Sequence, residues 1–519
     1  MDMANSLPRE LWSHIFDLAA DEDTIFYPGL PTSMTQSSWA RSLITDWQLR
    51  TPQDTINMIQ RRAYATKKSI ISTCKSWRSL GLEFLVHYLF FNDPSKLRCL
   101  TNLLTSNPML GWWTRRLHIT HFRVHYNSGL PLDEFEAALT SVLLQTPNLE
   151  IFIVDWPLSR AFGSIADTLG THCKNLRTAQ WHVPAELLPK VIWALDALPL
   201  LVSLAVELDV PLKEADALTL GSAQDVKLHL PNLQQLILRG HSAEFIDQAS
   251  GWNIPLLRSF SFDYGNKTED VPDVLSFLAT HGTSLLFLDL NCIPTLDIRT
   301  ILDLCPLLTA FSFNLDWKIP PTTQDNNENT DADAHTVALT NRPHEHIAHI
   351  GLHGLLFAFG VGLASAYAHP DPLRTLLIQR INDANFSALA KTKASFPKLE
   401  RVRVLSQTVL TDLERADGPQ GGGMDRWERW AGMCERAGVR LEDCTGALLG
   451  TLPQNFEEYE EQEEDESLDG NDYYYTDEEV EEEEPPRPGG VGLAELRALL
   501  EECRKMSEER EDPPFGLAY

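Results

Sequence analysis

Residues 231–239 read Pro-Asn-Leu-Gln-Gln-Leu-Ile-Leu-Arg, and this stretch decides the fold class expected of the chain. Leu233, Leu236 and Leu238 form the pattern Leu-x-x-apolar-x-apolar. Because alternate side chains of a strand point to the same face, Leu236 and Leu238 would point inward while Arg239 would point outward. The stretch therefore predicts a short buried strand, which begins just after a proline that ends the preceding helix.

The same pattern recurs along most of the chain, with helical patterning between copies, for example at residues 185–198 and 296–304. The intervals run from 23 to 39 residues, and most fall in or near the band of about 20–29 residues typical of leucine-rich repeats. One such unit cannot bury its own apolar side, so units must stack. The sequence predicts an α/β solenoid, an irregular leucine-rich-repeat horseshoe, over residues 93–447. The ten copies begin at Leu149, Leu176, Leu201, Leu233, Leu257, Leu285, Leu308, Ile347, Leu373 and Leu399.

Two short stretches near the start of the chain have helical periodicity. Residues 7–16 read Leu-Pro-Arg-Glu-Leu-Trp-Ser-His-Ile-Phe, and residues 70–78 read Ile-Ile-Ser-Thr-Cys-Lys-Ser-Trp-Arg. Apolar residues recur every three or four positions in both, which is typical of amphipathic helices. So small a module would expose a large apolar surface unless a partner covers it.

These stretches resemble the two halves of an F-box, the helical segment that docks onto Skp1 in Skp1-cullin-F-box ubiquitin ligases. The chain is similar to fungal F-box domain-containing proteins, in which repeats follow the F-box. The resemblance implies a small N-terminal all-α module at residues 1–92, with an unusual insertion at about 21–66 that is expected to pack, and with Cys74 as a small buried residue. The side chains it assigns to Skp1 binding are Leu7, Pro8, Leu11, Ile15, Phe16, Ile70, Cys74 and Trp77.

Composition and charge exclude several classes of protein. The net charge is −30, and residues 455–485 contain 17 acidic side chains with no Lys or Arg, so a nucleic-acid partner is not expected. The most apolar run, residues 354–368, is fifteen residues long, whereas a membrane span needs about 20. The N-terminus does not resemble a secretion signal, and the eight scattered cysteines suit a reducing compartment, either cytoplasmic or nuclear.

The C-terminal part of the chain has two segments of different character. Residues 448–488 are predicted to be an acidic disordered segment, because they cannot bury enough apolar surface to fold. Residues 489–519 are predicted to form a short amphipathic helix and a tail.

Catalysis and cofactor binding are not expected. His344, His346, His349 and His353 lie close together in sequence, but strand alternation would scatter their rings and no cysteine accompanies them, so no metal site is predicted. No phosphate-binding loop or nucleophile motif is found. The sequence therefore predicts a protein without catalytic residues or cofactors.

The expected function is that of a substrate-recognition adaptor, which binds Skp1, and through it a cullin ligase, and holds an unknown protein target on the repeats. The alternative is a leucine-rich-repeat binding scaffold that is not associated with a ubiquitin ligase, its N-terminal helices serving only as a cap. Outward strand positions are the candidates for target binding, because inward ones are committed to the core. They include Glu207, Arg239, Asp263, Asp289, Asn291, Asn314, His353, Gln379 and Arg403.

Overall fold

The computed structural model describes thirteen segments of the chain. They are residues 7–20, 25–41, 47–91, 96–120, 132–158, 162–209, 220–265, 273–292, 297–315, 339–362, 372–390, 395–415 and 423–449. Residues 450–488 of the predicted acidic segment and the predicted C-terminal helix lie outside these residues, as does most of the polar stretch before Pro343.

The described residues contain fourteen strands. They are β1 (Ser38–Arg41), β2 (Trp47–Arg50), β3 (Tyr88–Phe91), β4 (Arg116–Ile119), β5 (Ile151–Pro157), β6 (Thr178–Pro184), β7 (Ser203–Asp209), β8 (Gln235–Gly240), β9 (Ser259–Gly265), β10 (Phe287–Cys292), β11 (Ala310–Asn314), β12 (His349–His353), β13 (Arg401–Val404) and β14 (Arg440–Glu442). β1 and β2 pair antiparallel, while β3 to β14 form one all-parallel sheet in which each strand pairs with the next along the chain.

Fifteen α-helices are described. They are α1 (Arg9–Ala20), α2 (Pro52–Thr73), α3 (Lys75–Val86), α4 (Lys96–Ser106), α5 (Pro108–Trp113), α6 (Leu132–Gln145), α7 (Phe162–His172), α8 (Leu188–Asp196), α9 (Ala243–Ala249), α10 (Val274–His281), α11 (Ile298–Leu304), α12 (Leu356–Phe359), α13 (Pro372–Ala390), α14 (Gln407–Arg415) and α15 (Gly423–Arg436). None of them is long and apolar enough to cross a membrane.

One face of the large sheet is buried under the crossover helices. In β9, Phe260 and Phe262 are completely buried on this face, whereas Asp263 points to the opposite face. The ring of Phe260 packs against Phe277 of α10 with the centroids 4.5 Å apart. Parallel neighbours require a crossover connection, and a helix in that connection supplies the cover for the strand it follows. The result is one continuous core along the sheet.

The opposite face, here called the second face, is covered at one end by α2. Its N-terminus is fixed by a capping box between Thr51 and Asp54, and its Tyr64 packs on Tyr88 of β3 at 4.5 Å between ring centroids. The buried Lys67 ammonium donates to the carbonyl of Phe84 at 2.7 Å. Helix α2 therefore belongs to the body of the protein.

An extended segment, residues 25–37, crosses the rest of the second face, and we call it the strap. Its backbone bonds to side chains from well-separated strands. The contacts are Arg116 of β4 with the Ile25 carbonyl at 2.6 Å, Thr178 of β6 with the Pro28 carbonyl at 2.6 Å, Gln235 of β8 with Leu30, and Arg403 of β13 with the Met34 carbonyl at 2.6 Å. The predicted packing of the insertion thus takes the form of a chain laid across the sheet.

The predicted architecture, a small all-α F-box module followed by a leucine-rich-repeat horseshoe, is wrong. The chain forms an open sheet of twelve parallel strands with flanking helices, and the described residues contain no closed solenoid. The N-terminal region is not an all-α unit, since β1, β2 and β3 come from it. Apolar periodicity predicts elements one at a time, but it does not specify what covers the second face of a sheet.

Two local expectations are also wrong. The apolar triplet that begins at Leu373 lies in the nineteen-residue helix α13 and not in a strand. Cys74 is exposed and lies between two helices, where it caps the N-terminus of α3, its Sγ accepting from the backbone N–H of Trp77 at 3.4 Å. The other nine triplets each lead into a strand.

Candidate functional site

Polar side chains at one register position form a row across the second face, here called the polar row. Paired strands run about 4.8 Å apart, so side chains at the same register position are neighbours. From β6 to β12 the row consists of His182, Glu207, Arg239, Asp263, Asn291, Asn314 and His353. The Asn291 amide donates to the Asp263 carboxylate at 3.2 Å, and His182 Nε2 lies 2.7 Å from the carboxylate of Asp209.

His353, the last residue of the polar row, forms a short, buried contact with Asp289. Nε2 of His353 lies 2.6 Å from Oδ1 of Asp289, a side chain that is largely buried. Burial by itself disfavours the imidazolium, but the carboxylate of Asp289, with a smaller contribution from Asp263, outweighs it and raises the pKa of His353. The pair therefore favours the charged form of His353.

A cavity of about 510 Å³ lies between the strap and the polar row. Its volume is in the range of about 300–1,000 Å³ that is usual for ligand sites. Of the described residues that line it, four carry carboxylates, whereas Arg239 is the one Lys or Arg. The strap side contributes hydroxyl groups, among them those of Thr32 and Thr35. The carboxylates are those of Asp155, Glu207, Asp263 and Asp289.

Ser261 lines the same cavity on β9. Its side chain is 6% exposed, and its hydroxyl makes no hydrogen bond to any residue that the structure describes. A buried hydroxyl without a partner carries a desolvation cost, which a ligand in the cavity would relieve. The site therefore has an unused hydrogen-bonding group as well as negative charge.

The end of the second face near β4 is closed by a buried polar cluster. Burial lowers the pKa of Arg116 to about 10, and burial also lowers the pKa of His118 despite its hydrogen bond to Asp155. Gln60 of α2 contacts Nδ1 of His118 at 3.1 Å. These groups join α2, the strap and the sheet.

The structure brings together six of the nine residues predicted to bind a target. Six line the cavity, namely Glu207, Arg239, Asp263, Asp289, Asn291 and His353. Asn314 is buried in the polar row between Asn291 and His353. Gln379 lies on α13, where it donates to the Phe357 carbonyl at 3.3 Å, and Arg403 is buried in an ion pair with Glu442 at 2.7 Å. Arg403 and Gln379 are thus engaged within the fold.

Three of the cavity residues that the sequence analysis missed lie at positions that it could have identified. Asp155 and His182 each directly follow the last apolar residue of a triplet, as Glu207 does, so the same positional rule would have found them. Ser261 lies between the two inward residues of its triplet, like Asp289. No such rule identifies the strap hydroxyls, because the apolar residues of the strap do not recur at a fixed spacing.

Helix α1 exposes an apolar stripe. Leu7, just before the helix, and Leu11, Ile15 and Leu18 on it are between 40% and 69% exposed, and their spacing places them on one side. Pro8 is also exposed. Contiguous exposed apolar residues are unusual on a protein surface and mark interaction sites.

Of the four remaining residues assigned to Skp1 binding, three are buried or half-buried. Phe16 is completely buried and Trp77 is half-buried, with 5.4 Å between their ring centroids, while Trp77 also packs on Trp12 at 4.7 Å. Ile70 of α2 is half-buried, and Cys74 is exposed. Phe16 and Trp77 therefore hold α1 on α3.

The histidines near residue 344 are held by separate partners. His344 contacts the Cys305 carbonyl at 2.9 Å, His349 lies 2.9 Å from the guanidinium of Arg401, and His353 pairs with Asp289. Burial lowers the pKa of both His344 and His349. The described residues contain no group of three or more His, Cys, Asp or Glu placed to hold a metal ion.

Most of the described cysteines are buried and uncharged. Burial raises the pKa of five thiols to about 12, so they are not nucleophiles near neutral pH. They are Cys173, Cys292, Cys305, Cys434 and Cys444.

Comparison with known proteins adds no assignment to this geometry. No protein-family model matches the chain, and no curated protein is significantly similar to it in sequence.

Proposed function

We propose that the chain is a substrate-recognition adaptor of a Skp1-cullin-F-box ubiquitin ligase, docked on Skp1 through α1 and carrying a protein target on the second face. The observation that supports the proposal is the apolar stripe of Leu7, Leu11, Ile15 and Leu18, which is exposed although the opposite side of α1 is packed. Such a stripe fits a partner that supplies an apolar groove.

The proposal needs no catalytic residue in this chain. Ubiquitin transfer in such a ligase depends on the proximity of a target lysine to an enzyme that carries ubiquitin. An adaptor supplies this proximity by raising the effective concentration of the lysine near that enzyme. A cytoplasmic or nuclear location goes with the proposal.

Skp1 capture by the full chain tests the proposal. The Leu11→Ala, Ile15→Ala double variant removes the centre of the stripe, and we expect it to weaken Skp1 binding by at least about 30-fold, equivalent to about 2 kcal/mol. Surface plasmon resonance with immobilised Skp1 measures the change. Trp77→Ala is unsuitable, because Trp77 also packs against Trp12 and its loss would disturb α1.

The matched control is the Leu256→Ala, Leu307→Ala double variant, which removes two leucines that are 41% and 45% exposed elsewhere on the surface. We expect it to bind Skp1 like the wild type. If the wild-type chain does not bind Skp1, a binding scaffold outside any ligase is the better interpretation. If the α1 variant binds normally, α1 is not the docking surface.

A further inference from the structure

We propose that the cavity between the strap and the polar row binds a cationic group, a guanidinium or an ammonium, on a basic segment of the protein target. The proposal rests on the proposed function, from which it takes the expectation of a protein target. It goes further by stating the chemistry that selects the target.

The charges around the cavity favour a cation. The described residues that line it carry four carboxylates, one guanidinium, that of Arg239, and the imidazolium of His353. One of its two imidazoles, His353, pairs with Asp289, and the other, His182, pairs with Asp209. Both imidazoles are therefore engaged with carboxylates, and carboxylates still outnumber the cations of the described lining. A phosphate or an acidic peptide would meet an excess of negative charge in a concave site, where charges are poorly screened.

Glu207 offers an accessible carboxylate. Its side chain is 46% exposed, and Nε2 of His182 lies 4.0 Å from the carboxylate, beyond hydrogen-bonding distance. Arg239 and Asp263 follow at the next two register positions. A guanidinium has five N–H donors and matches a carboxylate in two-point contact, so this part of the row can receive it.

Two further features suit a group that donates several hydrogen bonds. The unpartnered hydroxyl of Ser261 lines the cavity from the sheet, and the hydroxyls of Thr32 and Thr35 line it from the strap. All of these oxygens can accept. The cavity volume of about 510 Å³ exceeds that of a single ammonium or guanidinium group. It therefore has room for a side chain together with adjoining backbone, which favours a peptide over a small free cation.

The test is fluorescence anisotropy on the full chain at physiological salt. The probe is a fluorescein-labelled peptide of Gly and Ser that carries three spaced arginines, and its control carries citrulline, the uncharged analogue of Arg, at the same positions. We expect the citrulline peptide to bind at least about tenfold more weakly. Equal binding of the two peptides would overturn the proposal.

Charge-matched variants separate the cavity from the rest of this acidic chain. Glu207→Gln with Asp263→Asn removes two cavity carboxylates, and we expect it to weaken binding of the arginine peptide about tenfold. Asp196→Asn with Glu428→Gln removes two exposed carboxylates on helices outside the cavity and should change binding less than about twofold. If both pairs act alike, the peptide binds by net charge alone and the proposal fails.

A variant with the opposite sign guards against misfolding. Arg239→Gln removes the cavity's guanidinium, and we expect tighter binding of the arginine peptide, by a few-fold. A damaged fold would not produce tighter binding. Unchanged or weaker binding by Arg239→Gln would contradict the proposed electrostatics.

Two parallel measurements identify the source of the cation. If spermine binds in a Glu207- and Asp263-dependent way while the peptide does not, the ligand is a free polyamine and the assignment to a protein target is overturned. Skp1 binding by the wild-type chain is measured separately, since α1 does not line the cavity. If the wild-type chain does not bind Skp1, the ligase proposal is refuted, and the cavity measurements are unaffected.

Discussion

At the scale of single residues, His353 shows how neighbours determine the role of a side chain. A histidine near the end of an apolar strand is a candidate ligand or a simple surface residue on sequence grounds. In the fold, its Nε2 lies 2.6 Å from Asp289, which comes from a strand two places away. The contact makes the imidazolium part of the wall of the cavity.

Stability should depend on pH through His353. Its pKa is raised in the folded protein, so protonation stabilises the fold. That contribution is complete below the unfolded-state pKa of about 6.5 and is lost as the pH rises through the higher folded-state value. The loss of unfolding free energy in His353→Gln should therefore be greatest near pH 6 and smaller near pH 9.

Denaturant unfolding across this pH range measures the difference between wild type and variant. His172→Gln is the control, because His172 is exposed on α7 outside the cavity. A difference that grows with pH for His353→Gln would contradict the assigned ion pair.

At the scale of elements, the strap depends on a small number of side chains from the sheet. Gln235 is the clearest case, because its amide bonds both backbone groups of one residue. Its Oε1 accepts from the Leu30 N–H at 2.8 Å, and its Nε2 donates to the Leu30 carbonyl at 2.9 Å. In a sheet, the backbone N–H and carbonyl of a residue bond to the backbone of a neighbouring strand. Here the side-chain amide of Gln235 takes the place of that backbone.

Gln235→Ala should release the strap. The variant leaves two polar groups of Leu30 without partners, at a cost of about 1–3 kcal/mol. We expect faster amide hydrogen exchange over residues 28–34 and a lower free energy of unfolding. Gln234→Ala is the control, because Gln234 is its exposed neighbour and bonds to other described residues only through its backbone. Unaltered exchange in Gln235→Ala would show that the strap is held in another way.

At the scale of the whole molecule, stability comes from the core under the crossover helices. It is continuous from the first strands of the large sheet to the last. Phe260 lies in its middle, completely buried and packed on Phe277. A cavity made there would disturb the packing of several neighbouring strands and helices.

Phe260→Ala should lower the free energy of unfolding by about 3–5 kcal/mol, because a buried ring is lost and the surroundings collapse only partly. Phe287→Ala is the matched control at a half-buried position on the adjacent strand and should cost clearly less. Chemical denaturation compares the two. Equal losses would mean that Phe260 is not in a tightly packed core.

Much of the local structure could be predicted from the sequence. The two-residue alternation of a strand is a local property, so nine of the ten apolar triplets identify strands and most of the outward residues of the cavity. The triplet at Leu373 has the same spacing as the other nine, yet it lies in helix α13, where Leu373 and Leu376 are exposed. Periodicity alone cannot choose between a strand and a helix.

The sequence by itself determined where most strands begin, which of their side chains point inward, and that one face of α1 is apolar. Only the tertiary structure decided that the segment between the two N-terminal motifs crosses the second face and closes a cavity there. The reason is physical. The strap has no period, and its position depends on contacts such as Leu30 with Gln235 and Met34 with Arg403, between residues more than 200 positions apart. Such contacts form only when the chain folds.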